Sequence, residues 1–156
     1  MLGEVFAGLG LGALPVLGAY FVQAGEYGLS AFVASVPPFI LTYNLLFLNE
    51  FPDVHADRKG GRRNVVLALG NERAAKLYSA LVLLCYGWIL FSISMGLLPL
   101  ACSVSFITLP KAFKAIRLAM AHHSDPGILP GLASNVLLAL AIPTLLGLGF
   151  LLDIFL

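Results

Sequence analysis

Five apolar stretches, each about 20 residues long, dominate the sequence and restrict the folds open to it. They cover residues 4–23, 29–48, 75–95, 97–116 and 129–152. About 20 apolar residues in a helix cross the roughly 30 Å hydrocarbon core of a bilayer. Only 11% of the residues are charged, against roughly 25% in ordinary soluble domains. The sequence therefore predicts an all-α fold: a polytopic bundle of about five transmembrane helices forming one domain over residues 1–156.

The positions of the basic residues predict how this bundle is oriented. All nine lysines and arginines fall in two segments, and they are Arg58, Lys59, Arg62, Arg63, Arg73, Lys76, Lys111, Lys114 and Arg117. Cytoplasmic loops of membrane proteins carry an excess of such residues. We therefore expect loops 50–75 and 111–127 and the N-terminus to be cytoplasmic, in a multi-pass protein of the cell (inner) membrane. The net charge of +1 gives no indication of a nucleic-acid partner.

Small residues in the first stretch predict a close helix contact. Gly8 and Gly12 lie four positions apart in "GLGLGALPVLG", so they share one face of a helix. Small residues at this spacing allow two helix backbones to approach closely in lipid. We interpret the glycines as packing residues rather than a phosphate-binding loop, because the surrounding residues are apolar.

Charge is concentrated in "NEFPDVHADRKGGRRN", residues 49–64. If the second helix continues past the membrane surface, Asn49, Asp53 and Asp57 lie on one face, since each is four residues from the next. Two neighbouring aspartates repel each other unless a cation lies between them. Oxygen ligands favour a hard ion, and Mg²⁺ is typically bound by one or two carboxylates together with substrate phosphates.

Basic residues follow the aspartates directly. Guanidinium groups are well suited to phosphate recognition, and the candidates here are Arg58, Lys59, Arg62 and Arg63. Carboxylates beside basic residues at a membrane face favour a metal-bound phosphorylated substrate with an apolar tail. The alternative is an ordinary solvated loop at a helix end.

The stretch "NEFPDVHADRKGGRRNVVLALG" resembles the second aspartate-rich motif of the UbiA family of membrane prenyltransferases. In that motif D-x-x-x-D is followed by a glycine, basic residues and a hydrophobic run ending in Leu-Gly. The matching positions are Asp53, Asp57, Gly61, Arg62, Arg63, Leu69 and Gly70. The asparagine four residues before the first aspartate, here Asn49, resembles the motif of the family branch that prenylates 1,4-dihydroxy-2-naphthoate. The segment "GALPVLGAYFVQAG" resembles a helix of that branch at Pro15, Gly18, Tyr20, Val22, Gln23 and Gly25.

The resemblance covers the C-terminal half of the family fold. That fold has nine helices and two aspartate motifs facing one cavity, whereas five helices and one motif are predicted here. Asn64 also stands where the family usually has threonine or serine. The resemblance therefore implies a missing N-terminal half or a partner chain that supplies the first motif.

The resemblance implies transfer of a polyprenyl group from a polyprenyl diphosphate to an aromatic acceptor of the naphthoate or benzoate type, in quinone (menaquinone) biosynthesis. Mg²⁺ would be held by Asp53 and Asp57, with Asn49 beside them. The four basic residues would contact the diphosphate. Candidate pocket residues are Tyr20, Gln23 and Tyr43, whose alternative role is interfacial packing.

Other functions stay open. The CDP-alcohol phosphotransferases also end a signature in D-x-x-x-D, but "YNLLFLN" precedes the motif here in place of their Asp-Gly and Ala-Arg elements. A transporter piece is disfavoured because no predicted span has a charge at its centre. A non-catalytic remnant, or a split-enzyme subunit that needs a partner, is the main alternative. We interpret His55, His122 and His123 as surface or loop residues rather than metal ligands.

Overall fold

The structure is a computed structural model that describes residues 2–155, and every regular element in this range is helical. In chain order the elements are α1 (Gly3–Ala7), a π-helical turn (Gly8–Ala13), α2 (Leu14–Ala24), α3 (Leu29–Lys59), α4 (Val65–Leu69), α5 (Asn71–Ser94), a 3₁₀ segment (Leu100–Thr108), α6 (Leu109–Ala121), a short 3₁₀ turn (Pro126–Ile128) and α7 (Leu129–Asp153).

The predicted membrane bundle is confirmed, with one difference in the number of continuous spans. Within the described residues, four helical segments are long and apolar enough to cross a membrane: Gly3–Ala24, Leu29–Lys59, Asn71–Ser94 and Pro126–Asp153. The fourth of the five predicted stretches, 97–116, is instead divided between the 3₁₀ segment and α6. The chain is thus a multi-pass membrane protein in which the stretch 97–116 is not a continuous α-helix.

Hydroxyl groups and tight packing account for the 3₁₀ segment. Ser105 Oγ donates to the Cys102 carbonyl at 2.8 Å, and Thr108 Oγ1 donates to the Ser105 carbonyl at 2.6 Å. Such side-chain bonds to nearby backbone compete with regular α-helical bonding. The segment also presses against α7 at Gly149, where an added Cβ would lie 2.7 Å from the Cys102 backbone. Apolarity alone predicted the segment but not this geometry.

Helix α3 is central to the bundle and contacts the first span, α5 and α7. The close contact predicted from the glycines is confirmed. A Cβ on Gly8 would lie 2.8 Å from the Phe39 carbonyl oxygen, and one on Gly12 would lie 2.5 Å from that of Pro38. The first span therefore lies directly against the backbone of α3.

Polar side chains fasten α5 and α7 to α3 inside the bundle. The buried Asn135 on α7 accepts a hydrogen bond from the Tyr78 hydroxyl at 3.0 Å and donates to the Asn44 carbonyl at 3.0 Å. Trp88 on α5 donates to the Val33 carbonyl at 3.0 Å. Because hydrocarbon supplies no hydrogen-bond partners, polar groups in a membrane must be satisfied within the protein. These bonds fix the helices that carry the site.

Helix α3 is longer than a bilayer requires. Its 31 residues measure about 46 Å at 1.5 Å per residue, against roughly 30 Å of hydrocarbon. The segment expected to be loop 50–75 is therefore mostly helical, with irregular backbone only between α3 and α4 and at Gly70. The aspartate motif lies on the final turns of this long helix.

Candidate functional site

The last turns of α3 present a row of polar side chains to a pocket of about 280 Å³. Asn49, Asp53 and Asp57 form one wall, as their four-residue spacing predicts. We call this the carboxylate pocket, and its lining residues are Gly3, Glu4, Leu46, Asn49, Glu50, Asp53, Asp57, Arg62, Arg63 and Asn64. The structure thus brings the three predicted motif residues together with two of the four predicted basic residues.

Asp57 is the most enclosed residue of the predicted motif, with 5% of its surface exposed. Its Oδ1 accepts a hydrogen bond from Arg62 Nη1 at 3.1 Å, and its Oδ2 accepts one from Asn64 Nδ2 at 2.9 Å. The hydrogen bond to Asp57, reinforced by the attraction between the charges, raises the pKa of the Arg62 guanidinium. Both carboxylate oxygens are therefore occupied in this arrangement.

The chain reaches this arrangement through a tight turn after α3. Gly61 has φ +70, a left-handed conformation that glycine adopts without steric cost. The Arg62 amide then donates to the Asp57 carbonyl at 3.0 Å. Asn64 completes the turn, because its Oδ1 caps α4 by accepting from the Leu67 amide at 2.8 Å. The glycine of the predicted motif is thus a backbone requirement for folding the basic residues back over Asp57.

Two acidic residues of the pocket were not singled out in the sequence. Glu4 on α1 is only 1% exposed, and its Oε1 accepts a hydrogen bond from the Val65 amide at 2.9 Å. Glu50 on α3 is half-buried and its carboxyl group interacts with that of Glu4. The available signals were weak: Glu50 lies three residues before Asp53, and Glu4 is the only charged residue in the first apolar stretch.

The structure does not bring Arg58 or Lys59 to the carboxylate pocket. Arg58 follows Asp57 by one residue, which rotates it by about 100° around the helix. It lines a separate cavity of about 590 Å³, together with His55 and His123. Lys59 is exposed at the end of α3. Of the four basic residues predicted to contact the diphosphate, only Arg62 and Arg63 line the carboxylate pocket.

The predicted pocket residues Tyr20 and Gln23 lie near the other end of the bundle. They line a separate cavity with Ser30, which is 23 positions before Asp53 on α3, about 35 Å along the helix. Tyr43 is nearer, half-buried two to three turns before Asp53, with its ring 5.7 Å from that of Phe47. Any role of Tyr20 and Gln23 in substrate binding stays a prediction, and it cannot involve a group held at the aspartates.

Hydrogen bonds between its own residues hold the loop between α6 and α7 in place. His122 Nδ1 lies 3.0 Å from Asp125 Oδ1, which also accepts from the Gly127 amide at 2.7 Å. The Gly127 amide, and next the histidine, hold the pKa of Asp125 below its ordinary value. Asn71 at the start of α5 donates to the His123 carbonyl at 2.6 Å. These contacts agree with the interpretation of the histidines as loop residues.

The residues of the carboxylate pocket fit a hard cation. Within residues 2–155, no three His, Cys, Asp or Glu side chains converge closely enough to hold a metal by themselves. Mg²⁺ does not require such a cage, since it commonly keeps several waters and binds one or two carboxylates plus phosphate. Glu4 and Glu50 each have a buried Oε2 without a hydrogen-bond partner among the described residues. The oxygen-only donor set and these orphaned oxygens suit Mg²⁺ better than a soft metal.

Comparisons with known proteins agree with the motif. The model of the UbiA prenyltransferase family matches residues 1–129. The chain is 28% identical over 115 residues to "1,4-dihydroxy-2-naphthoate octaprenyltransferase" from Bacillus subtilis (strain 168), covering 74% of this chain and 37% of that protein. It is 27% identical over 135 residues to the protein of the same name from Mycobacterium leprae (strain TN), covering 82% and 42%.

A human relative matches a similar region. The chain is 28% identical over 116 residues to "UbiA prenyltransferase domain-containing protein 1" from Homo sapiens, covering 74% of this chain and 34% of that protein. No solved structure matches the chain significantly. The chain therefore spans about a third to two fifths of the length of these curated relatives. Since the family model covers most of its residues, the chain belongs to the UbiA prenyltransferase family.

Proposed function

We propose that the chain supplies one aspartate motif of a Mg²⁺-dependent prenyl-transfer site. The donor would be a polyprenyl diphosphate, and the acceptor an aromatic compound of the naphthoate or benzoate type. One observation carries the proposal: Asn49, Asp53 and Asp57 line the same pocket as Arg62 and Arg63, at one end of an apolar bundle. Such a pocket matches an amphiphile whose anionic head meets the membrane surface while its tail enters lipid.

Two sets of residues would divide the work of binding the donor. Asp53 and Asp57 would hold the cation, with Asn49 beside them. A bound Mg²⁺ supplies Lewis-acid stabilisation of negative charge on the diphosphate leaving group. Arg62 and Arg63 would bind phosphate oxygens directly, since guanidinium groups pair with phosphate in a bidentate manner. By the positive-inside rule this end of the bundle faces the cytoplasm, where a soluble diphosphate product would leave.

Arg62 has to change partner for this assignment to work. In the structure its guanidinium bonds Asp57 Oδ1, and its side chain is 73% exposed. An exposed arginine can move to a phosphate oxygen, which would release the carboxylate oxygen for a cation. The present pairing is therefore the resting arrangement, in which the two opposite charges satisfy each other.

The activity would need residues outside this chain. Because the chain covers well under half of its relatives' length, the remaining helices and the other aspartate motif would come from a longer form of the protein or a partner chain. A non-catalytic membrane component is the alternative. The prenyl-transfer proposal requires the carboxylate pocket to bind a polyprenyl diphosphate in the presence of Mg²⁺, whereas a non-catalytic component does not.

The test is a transfer assay in membranes that contain this chain together with the N-terminal half of the Bacillus subtilis relative. We expect Mg²⁺-dependent transfer to an aromatic acceptor, reduced at least about 100-fold by Asp53→Asn or Asp57→Asn, since a metal contributes several kcal/mol to charge stabilisation. Glu26→Gln is the matched control because Glu26 is exposed at the opposite end of the bundle. Wild-type rates in both aspartate variants would contradict the proposal.

Binding to this chain alone separates the alternatives further. Mg²⁺-dependent retention of a polyprenyl diphosphate by the wild-type chain, lost in Asp53→Asn, would support a functional half-site. Equal retention with and without Mg²⁺ would indicate partition of the tail into the bundle, as expected for a non-catalytic remnant.

A further inference from the structure

Glu4 and Glu50 meet in the carboxylate pocket from different helices. Glu4 projects from α1 and Glu50 from α3, 46 positions later in the chain. Glu4 is almost completely buried, and its carboxyl group lies close enough to that of Glu50 for a direct interaction. Neither residue belongs to the D-x-x-x-D motif. Their meeting places two further acidic groups beside Asp53 and Asp57.

The surroundings leave this pair incompletely satisfied. Ionised carboxylates only accept hydrogen bonds, so the two groups satisfy one another only through a shared proton, whose place a bound cation can take. Glu4 Oε1 is held by the Val65 amide at 2.9 Å, which leaves its Oε2 as the oxygen available to a ligand. Among the described residues, Oε2 of Glu4 and Oε2 of Glu50 both lack a donor although both are buried. Burying charge without a partner is costly, and a cation between the two groups would remove that cost.

The position of Glu50 connects the pair to the aspartates. Glu50, Asp53 and Asp57 are spaced three and four residues apart on α3, so they form a continuous edge of one helix face. All three line the carboxylate pocket, and Glu4 lies across from Glu50. Two carboxylates together with water or phosphate oxygens are an ordinary ligand set for Mg²⁺.

We infer that Glu4 and Glu50 form a second carboxylate pair that binds a hard divalent cation of the Mg²⁺ class, next to Asp53 and Asp57. This inference rests on the proposed function of the pocket as a cation and diphosphate site. It gives a role to a charged residue in the otherwise apolar first span, where an unpaired carboxylate would oppose burial. It also lets one chain offer two carboxylate pairs to the phosphate groups of the same ligand.

The experiment measures binding of Mn²⁺ alone to the purified full chain in lipid nanodiscs, by titration with electron paramagnetic resonance. Mn²⁺ is the probe because it takes the same oxygen ligands. We expect the double variant Glu4→Gln/Glu50→Gln to lose one bound Mn²⁺ per chain, or to bind it at least about tenfold more weakly, since changes even in groups around a metal cost 10–100-fold. Glu26→Gln is the matched control and should bind as the wild type does.

Glutamine at either position keeps the fold testable. In Glu4→Gln the side-chain carbonyl still accepts from the Val65 amide, so the contact with α4 is preserved. Glu50→Gln replaces a carboxyl group that faces Glu4 with a neutral amide that can donate to it, and should not lower the thermal stability measured without metal. The stabilisation by added Mn²⁺ should be smaller in Glu50→Gln than in the wild type.

Two results distinguish failure of this inference from failure of the proposed function. Wild-type Mn²⁺ binding in the double glutamate variant, with loss of binding in Asp53→Asn/Asp57→Asn, would overturn the second pair alone and indicate that the glutamates share a proton. Wild-type Mn²⁺ binding in the aspartate variant would count against the proposed function. Wild-type binding in both would overturn both.

Discussion

The Arg62 guanidinium lies 3.1 Å from Oδ1 of Asp57, so the buried carboxylate of the aspartate motif is already paired with a cation of its own chain. Asp57 is buried, whereas the arginine is largely exposed. Solvent screens the arginine's side of the pair, whereas the buried carboxylate needs a positive partner of some kind. The arginine can therefore move to a phosphate when a bound cation takes its place beside Asp57.

Arg62→Gln should separate the two roles of this arginine. Without the competing guanidinium, Mn²⁺ binding to the chain without substrate should tighten by about two- to fivefold, the range expected for a screened ion pair. Binding of a polyprenyl diphosphate should weaken by about tenfold or more, because a charged hydrogen bond is lost. Titrations with Mn²⁺ alone and with diphosphate plus Mn²⁺ measure the two effects.

Arg58→Gln is the control for Arg62→Gln. It removes the same charge from the same end of α3, but from the side that faces the cavity with His55 and His123. Neither affinity should change in this variant. Equal effects of the two substitutions would show that only the overall positive charge of the segment matters, and the specific pairing with Asp57 would lose its functional meaning.

Gly12 should be intolerant of a side chain, whereas its neighbour Gly10 should accept one. A Cβ at position 12 would lie 2.5 Å from the Pro38 carbonyl oxygen, which is backbone of α3 and cannot move aside, but no atom lies within 4 Å at position 10. Gly12→Ala should cost about 1–3 kcal/mol through overpacking. Gly10→Ala should be neutral or stabilising by up to about 1 kcal/mol. Thermal unfolding in detergent compares the two, and equal losses would show that the first span does not lie against α3.

The loop between α6 and α7 should become less stable at acid pH. The pKa of Asp125 is lowered by the Gly127 amide and then by His122. A carboxyl group whose pKa is lower in the folded than in the unfolded protein contributes stability above its unfolded value, near pH 4, and that contribution is lost as the pH falls through the folded value. The protection factor of the Gly127 amide, which is the exchange rate of an unstructured amide at the same pH divided by its own rate, should therefore decrease below about pH 4.

Asp125→Asn is the matched variant for this pH effect. Its amide oxygen can still accept a hydrogen bond from the Gly127 amide, but it does not titrate. The loss of protection at low pH should be absent from the variant. An identical pH profile in both proteins would assign the effect to another group.

The membrane bundle and the wall of motif residues were both predictable because each follows from short-range rules. Twenty apolar residues have few alternatives to spanning a bilayer as a helix, and residues four apart share a helix face. Gly8 and Gly12 likewise indicated a close contact before any partner helix was known.

Contacts between distant segments could not be predicted in the same way. Glu4 lies 61 positions before Val65, and the hydrogen bond between them depends on how the first span packs on α3. The separation of Arg58 from Arg62 depends on where α3 ends, since the four basic candidates look equivalent in the sequence until Gly61 turns the chain back. The 3₁₀ geometry of Leu100–Thr108 was missed because side-chain hydrogen bonding and packing against Gly149, not hydropathy, determine it.

Asn64 should be essential for the geometry of the aspartate site. Its two polar side-chain atoms make different hydrogen bonds. Nδ2 donates to Asp57 Oδ2, and Oδ1 caps α4 by accepting from the Leu67 amide. Asn64→Ala removes both bonds at a buried position, and loss of an N-cap alone costs about 0.5–2 kcal/mol. Asn64→Asp keeps the cap but places a second carboxylate against Asp57.

Thermal unfolding and Mn²⁺ titration of the two Asn64 variants separate the effects of these two hydrogen bonds. Asn64→Ala should lower stability, whereas Asn64→Asp should tighten Mn²⁺ binding because a cation would relieve the repulsion between the paired acids. If Asn64→Asp instead bound Mn²⁺ as the wild type does, Asp57 Oδ2 would not face the cation and its role as a ligand would be wrong.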